Sequence, residues 1–85
     1  MLMKIIIYST SACAPCHSLT DWLDKLALSY DKRLIDNNPN LMLEFMAIND
    51  GMIAVPLTIV ENSNGQITKI SGFDQRKLKQ ALNIL

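Results

Sequence analysis

Two thiols and a histidine lie within one short stretch, Cys13-Ala14-Pro15-Cys16-His17, and the 85 residues contain no other cysteine. Two residues between the thiols let them close a small ring. That spacing suits reversible dithiol chemistry, in which one thiolate attacks a disulfide and its neighbour displaces the product. As a staple the pair would do little, because so short a loop removes little entropy from the unfolded chain. In a reducing compartment such a pair is explained by chemistry rather than stability. The competing use is half of a zinc or iron–sulfur site. Such sites usually take four protein ligands, and one chain offers two thiols and His17, so a dimer or an added thiol would have to complete the sphere.

The elements around the pair fit the redox use. Lys4 to Tyr8 is a short apolar run, consistent with a strand covered on both faces. Ser9 to Ala12 is a polar, small-residue loop. From about Ala14 to Leu28 the spacing is helical, with Leu19, Trp22, Leu23 and Leu26 as the apolar stripe and Pro15 in the first turn, where its missing N–H costs little. Cys13 therefore falls at the expected helix cap, facing unpaired N–H groups and the positive end of the dipole. Thiols so placed have pKa values lowered from roughly 8.5 to about 3.5–7.5. Cys13 is the candidate nucleophile. Cys16, one turn further in, is expected to be buried and protonated until it resolves the mixed disulfide.

Further along, Tyr30 to Ile35 reads as a strand, with Leu34 and Ile35 as its apolar end. Asn38 and Pro39 read as cap and first residue of a second helix running to about Ile48, with Leu41, Phe45 and Ile48 on one face, and Asn49-Asp50-Gly51 ends it. Val55 to Val60 is a third strand entered through Pro56, Asn62 to Gly65 a hairpin turn, and Gln66 to Ile70 a fourth strand. A last helix follows Gly72-Phe73-Asp74, with Asp74 as cap and Leu78, Leu82 and Leu85 as its stripe. The order β-α-β-α-β-β-α predicts an α/β fold. Its four-stranded mixed sheet has the first two strands parallel, the last two in an antiparallel hairpin, and helices on both faces.

Bulk properties narrow the function. The length suits one domain spanning 1–85, and 49% hydrophobic residues suffice for a core without staples or structural metal. Eight basic and eight acidic side chains give zero formal charge, which argues against nucleic acid or an anionic membrane as partner. Met1 to Tyr8 superficially resembles a signal peptide, but Lys4 interrupts its apolar run and its removal would delete the strand that carries the thiols. The segment is read as mature structure, and the protein is expected in the cytoplasm.

Other candidate residues have bland and functional uses. Pro56 is either an ordinary trans proline at a strand start or a cis proline that leaves the Val55 backbone free to pair with an extended substrate, and the residues alone leave both open. Gly72 is a turn glycine. Asp74 is first a helix cap and second an acceptor for a substrate ammonium. His17 is expected to face solvent. Trp22 and the methionines are packing residues, with Met52 and Ile53 as an apolar rim for a partner.

Taken together, Ile7-Tyr8-Ser9, Cys13-Ala14-Pro15-Cys16-His17, Val55-Pro56 and Ser71-Gly72-Phe73-Asp74 resemble the glutaredoxin branch of the thioredoxin superfamily over the whole chain. The resemblance implies a thioredoxin-like fold and a thiol–disulfide oxidoreductase with no bound cofactor or metal. It implies Cys13 as nucleophile, Cys16 as resolving thiol, Pro56 as a cis proline facing them, and Val55, Pro56, Gly72, Phe73 and Asp74 around the substrate. Glutathione-dependent members typically carry Cys-Pro-Tyr-Cys, a nearby basic residue and a Gly-Gly pair. Here Ala14-Pro15 separates the thiols, Ser9 to Ala12 holds no Lys or Arg, and Ser71-Gly72-Phe73 replaces the glycine pair. Cys16-His17 and Ser71-Gly72-Phe73 resemble instead the redoxins that reduce ribonucleotide reductase and take electrons from NADPH through thioredoxin reductase. Proline before the second cysteine also resembles thioredoxin, near −270 mV against about −200 to −230 mV for glutaredoxins. The expectation is a monomeric, reductase-fed electron carrier. A glutathione-dependent enzyme, a cluster-binding dimer and an inactive interaction module of the same shape are the alternatives.

Overall fold

A computed structural model describes residues 3–84. The elements run in the expected order: β1 (Lys4–Ser9), α1 (Ala14–Lys25), β2 (Asp31–Leu34), α2 (Pro39–Ile48), β3 (Leu57–Glu61), β4 (Ile67–Ser71) and α3 (Gln75–Leu82). They form one four-stranded mixed sheet in the order β2-β1-β3-β4. The pair β1–β2 is parallel, while β1–β3 and β3–β4 are antiparallel. This is the four-stranded mixed-sheet α/β architecture that the order of elements predicts.

The uninterrupted apolar run of β1 is explained by cover on both faces. Ile5 and Ile7 point to a layer with Leu19 and Leu23 of α1, Val60, Ile70, and Leu78 and Leu82 of α3. Ile6 and Tyr8 point the other way, toward Phe45 of α2, Ile35 and Leu57. Each face thus takes alternate residues, as the two-residue period of a strand requires. On the α2 face the Tyr8 hydroxyl donates to Glu44, and Arg33 donates to both and pairs with Asp31. Lys69 donates to the Ile48 carbonyl at 2.9 Å, placing a cation at the C-terminal end of α2.

Besides shifts of one or two residues at the strand ends, with β3 starting at Leu57 rather than Val55 and β4 at Ile67 rather than Gln66, two boundaries change which side chains are buried. α1 stops at Lys25 rather than near Leu28 because Ala27 turns into the left-handed region (φ 57°), and the N–H groups of Ala27 and Leu28 close back onto Asp24 and Leu23. This is the six-to-one, five-to-two closure that glycine usually makes. Leu26 is consequently 41% exposed and drops out of the stripe. Secondly, β2 is a four-residue edge strand, so Ile35 is buried but Leu34 is 40% exposed. Leu85, expected in the last stripe, lies outside the described residues.

Register fixes the functional end. Because β1 and β2 are parallel, α1 must run opposite to both, which puts its N-terminus over the C-terminal end of β1. Tyr8 pairs with Leu57, and Leu57 with Ser71. The end of β1, the start of β3 and the end of β4 therefore lie together, and Ser9, Pro56 and Gly72 share one end of the sheet.

Candidate active site

Cys13 is the N-cap of α1, with extended backbone (φ −127°, ψ 106°). Its sulfur accepts the Cys16 N–H at 3.2 Å, and its carbonyl accepts the His17 N–H at 3.1 Å. The sulfur thus stands where a serine or aspartate cap would stand, against the unpaired donors of the first turn. Cys13 and Cys16 are joined by a disulfide, with Cα atoms 5.2 Å apart. Cys13 is 8% exposed and Cys16 1%, so the first cysteine is the more accessible residue. Pro15 lies in the first turn, as expected.

The loop that delivers Cys13 is held from two sides. The Ser11 N–H donates to Asp36 Oδ2 at 3.2 Å, just beyond the end of β2. His17 Nε2 lies 3.3 Å from the Ser11 carbonyl and donates to it when that nitrogen carries the proton. His17 is exposed, as expected, yet it also fastens this loop. Hydrogen bonds from Ser11, side chain first and then backbone, hold the Asp36 carboxyl below its ordinary range.

The second half of the site comes from β3 and β4. The Val55–Pro56 bond is cis, resolving the alternative the residues left open. The Pro56 carbonyl accepts the Gly72 N–H at 2.9 Å, and Gly72 adopts φ 79°, a conformation that glycine reaches without strain. Among the described residues, the N–H and C=O groups of Val55 carry no hydrogen bond. Phe73 lies edge-on to Trp22, with centroids 6.1 Å apart, and packs on the layer under α1 and α3. Asp74 caps α3, accepting the Lys77 N–H at 3.1 Å.

The structure therefore brings Cys13 to Cys16 and Pro56 to Gly72, and gathers both pairs at one end of the sheet. The Phe73 ring and one Asp74 oxygen are committed to internal contacts. Met52 and Ile53 are 62% and 63% exposed on the connection that leads to Val55. Sequence reading missed Ser11 and Asp36 as loop anchors, and missed Ser9 and Thr58, two hydroxyls fully buried in the α1-facing layer. The signal available for Ser9 was its alternation with Ile5 and Ile7; Asp36 had none, since its partner is 25 positions away.

The sequence profile of the glutaredoxins matches residues 5–63, more than half of the chain. The chain belongs to the glutaredoxin family. No curated protein matches it in sequence. Among solved structures it shares the thioredoxin-like fold of a mutant of the thioredoxin-like protein BC3987 (TM-score 0.79, 23% identity, covering 96% of this chain and 97% of that one). It is similar also to the glutaredoxin of Methanosarcina mazei Go1 (0.75, 22%, 95% and 79%). A third, the glutaredoxin-like NrdH-redoxin of Escherichia coli, is described as having a thioredoxin-like activity profile (0.72, 19%, 91% and 92%). Family membership together with a Cys-x-x-Cys pair closed at its helix cap makes this chain a thiol–disulfide oxidoreductase. Among the described residues no three metal-ligating side chains gather, and no helix is long and apolar enough to cross a membrane.

Proposed function

We propose that this protein is a small dithiol electron carrier that reduces protein disulfides. The observation that carries the reading is the Cys13 sulfur at the α1 cap, accepting a backbone N–H beside a buried Cys16. An N–H donor and the helix dipole both favour S⁻ over SH, so Cys13 is the attacking thiolate. Its sulfur bonds to one sulfur of the substrate, releasing the other as a thiolate. Cys16 then gives up its proton and attacks the Cys13 sulfur, expelling the second substrate thiolate and closing the Cys13–Cys16 bond. Two electrons pass to the substrate, and the two leaving thiolates take up two protons.

Substrate is held at the same end. The unpaired Val55 backbone beside cis Pro56 accepts an extended segment by strand addition. Gly72 leaves that approach unobstructed, as nothing lies within 4 Å of where its Cβ would stand. Phe73 and Asp74 follow Gly72 directly at the same end of the sheet, while Met52 and Ile53 give an apolar rim.

Electrons come from NADPH through thioredoxin reductase rather than from glutathione. Support lies in Ala14-Pro15 between the thiols, in Cys16-His17 and Ser71-Gly72-Phe73, and in the absence of Lys or Arg from Ser9 to Ala12, where a glutathione carboxylate would need a partner. The fold shared with NrdH-redoxin, with its thioredoxin-like activity profile, points the same way. The target is a protein disulfide such as that of ribonucleotide reductase, and the protein acts as a cytoplasmic monomer of one domain. The test is NADPH oxidation during insulin reduction, driven either by thioredoxin reductase or by glutathione with glutathione reductase. Turnover is expected with the first; turnover only with the second would reassign the donor, and none with either would reject the carrier reading.

A further inference from the structure

Beneath α1 are two hydroxyl groups that the cycle above does not use. Ser9 and Thr58 are both 0% exposed, and among the described residues neither Ser9 Oγ nor Thr58 Oγ1 has a hydrogen-bond partner. A buried hydroxyl without a partner destabilises the state that contains it, and alanine or valine would fill the same space without that cost. A group kept at such a cost calls for an explanation in another state of the protein.

Strand register shows which state. Ile5, Ile7 and Ser9 alternate onto the face covered by α1, and Thr58 and Val60 share that face, since Ile7 pairs with Thr58 and Ile5 with Val60. The two hydroxyls are thus diagonal neighbours at the end of the layer. Leu19 and Leu23 of α1 cover Ile5 and Ile7. Because α1 runs opposite to β1, the turn before Leu19, which carries Cys16, overlies the Ser9 end. Cys16 is itself 1% exposed, so its side chain is buried on the inner side of α1.

We propose that Ser9 and Thr58 are positioning residues that form a polar seat for the Cys16 thiol once the disulfide opens. In the closed state the Cys16 sulfur is bonded to Cys13 and has no proton to offer. When a dithiol donor supplies two electrons and two protons, the S–S bond breaks and Cys16 gains an S–H in a layer that is otherwise apolar. A hydroxyl oxygen can accept that S–H. When Cys16 loses its proton to attack Cys13, the hydroxyls can turn and donate to the thiolate. The pair therefore favours the reduced and attacking states over the closed one. The proposal rests on Cys13–Cys16 being the redox couple of the cycle above.

The experiment compares wild type with Ser9→Ala, Thr58→Val, the double variant and Thr58→Ser. Each is equilibrated in mixtures of reduced and oxidised dithiothreitol, and the thiol fraction is trapped by alkylation. Urea midpoints are measured for both redox forms. Losing both hydroxyls should shift the equilibrium about tenfold toward the disulfide, about 30 mV more reducing. The oxidised form should be no less stable, the reduced form should lose stability, and Thr58→Ser should match wild type. Equal changes in both forms, as a shared buried water or a purely structural pair would give, overturn the proposal. So does a shift toward the dithiol. Wild type that reduces insulin while the variants keep its potential removes only the role of the hydroxyls; wild type that cannot be cycled removes the couple itself. If the double variant does not fold, the single variants decide, each with roughly half the logarithmic shift.

Discussion

Replacing Cys13 separates its two roles, as helix cap and as nucleophile. The sulfur accepts the Cys16 N–H at 3.2 Å and so occupies the position of a capping oxygen. In Cys13→Ser a hydroxyl takes over that bond, whereas in Cys13→Ala the buried donor loses its acceptor. Loss of an N-cap acceptor costs typically about 1 kcal/mol, within a range of about 0.5–2. For a chain of this size that corresponds to about 4–8 °C in Tm per kcal/mol. The reference must be reduced wild type, so that the disulfide does not enter the comparison. Cysteines three positions apart close a loop worth up to about 2 kcal/mol, enough to mask the loss of the cap if the oxidised protein were the reference. Thermal unfolding in excess dithiothreitol should therefore place Cys13→Ser close to wild type and Cys13→Ala about 4–8 °C below it. Neither should reduce insulin. If the two variants unfold together, the cap bond has been misread; if Cys13→Ser turns over at the wild-type rate, Cys13 is not the nucleophile.

Three further outcomes follow from the packing. Ala27→Gly should raise stability by up to about 1 kcal/mol in urea unfolding, because Ala27 holds φ 57° at the end of α1 and glycine reaches that region without strain. Tyr8→Phe should cost about 1 kcal/mol, the scale of one hydrogen bond to a partly screened carboxylate. Burial, then the Glu44 hydrogen bond, raises the Tyr8 pKa above its ordinary 10.0, so this contribution is complete below pH 10.0 and lost as pH rises through the higher folded value. Wild type should therefore lose its advantage over Tyr8→Phe in strong alkali. At the other extreme, Glu44, bonded by Tyr8 and then Arg33, and Asp36, bonded by Ser11, titrate below their ordinary 4.5 and 3.8. Their stabilisation is present above those values and lost as pH falls below them, so urea midpoints should decline from about pH 4.5 downward, less steeply in Asp36→Asn.

What the sequence determined by itself was the local structure and the chemistry of the thiols. Two cysteines three apart, a polar loop before them and Pro15 between them specify a helix cap bearing sulfur, because spacing, capping and proline geometry act within one turn. Asn38-Pro39, Asn64-Gly65 and Asp74 were legible for the same reason. The end of α1 was not: it depends on Ala27 adopting a conformation whose usual marker, glycine, is missing. The cis state of Pro56 was open to the residues and required the surrounding turn, where Gly72 binds its carbonyl.

Only the tertiary structure decided what surrounds the thiols. Asp36 meets Ser11 across 25 positions, and Arg33 meets Glu44 beneath Tyr8, contacts that exist only once β1, β2 and α2 are assembled. Ser9 and Thr58 look like ordinary strand polar residues until register puts both on the face that α1 covers. Local sequence fixes which groups a turn presents, whereas burial, pairing and the reach between distant segments follow from how the sheet is ordered, and that order is set by the packing of the whole chain.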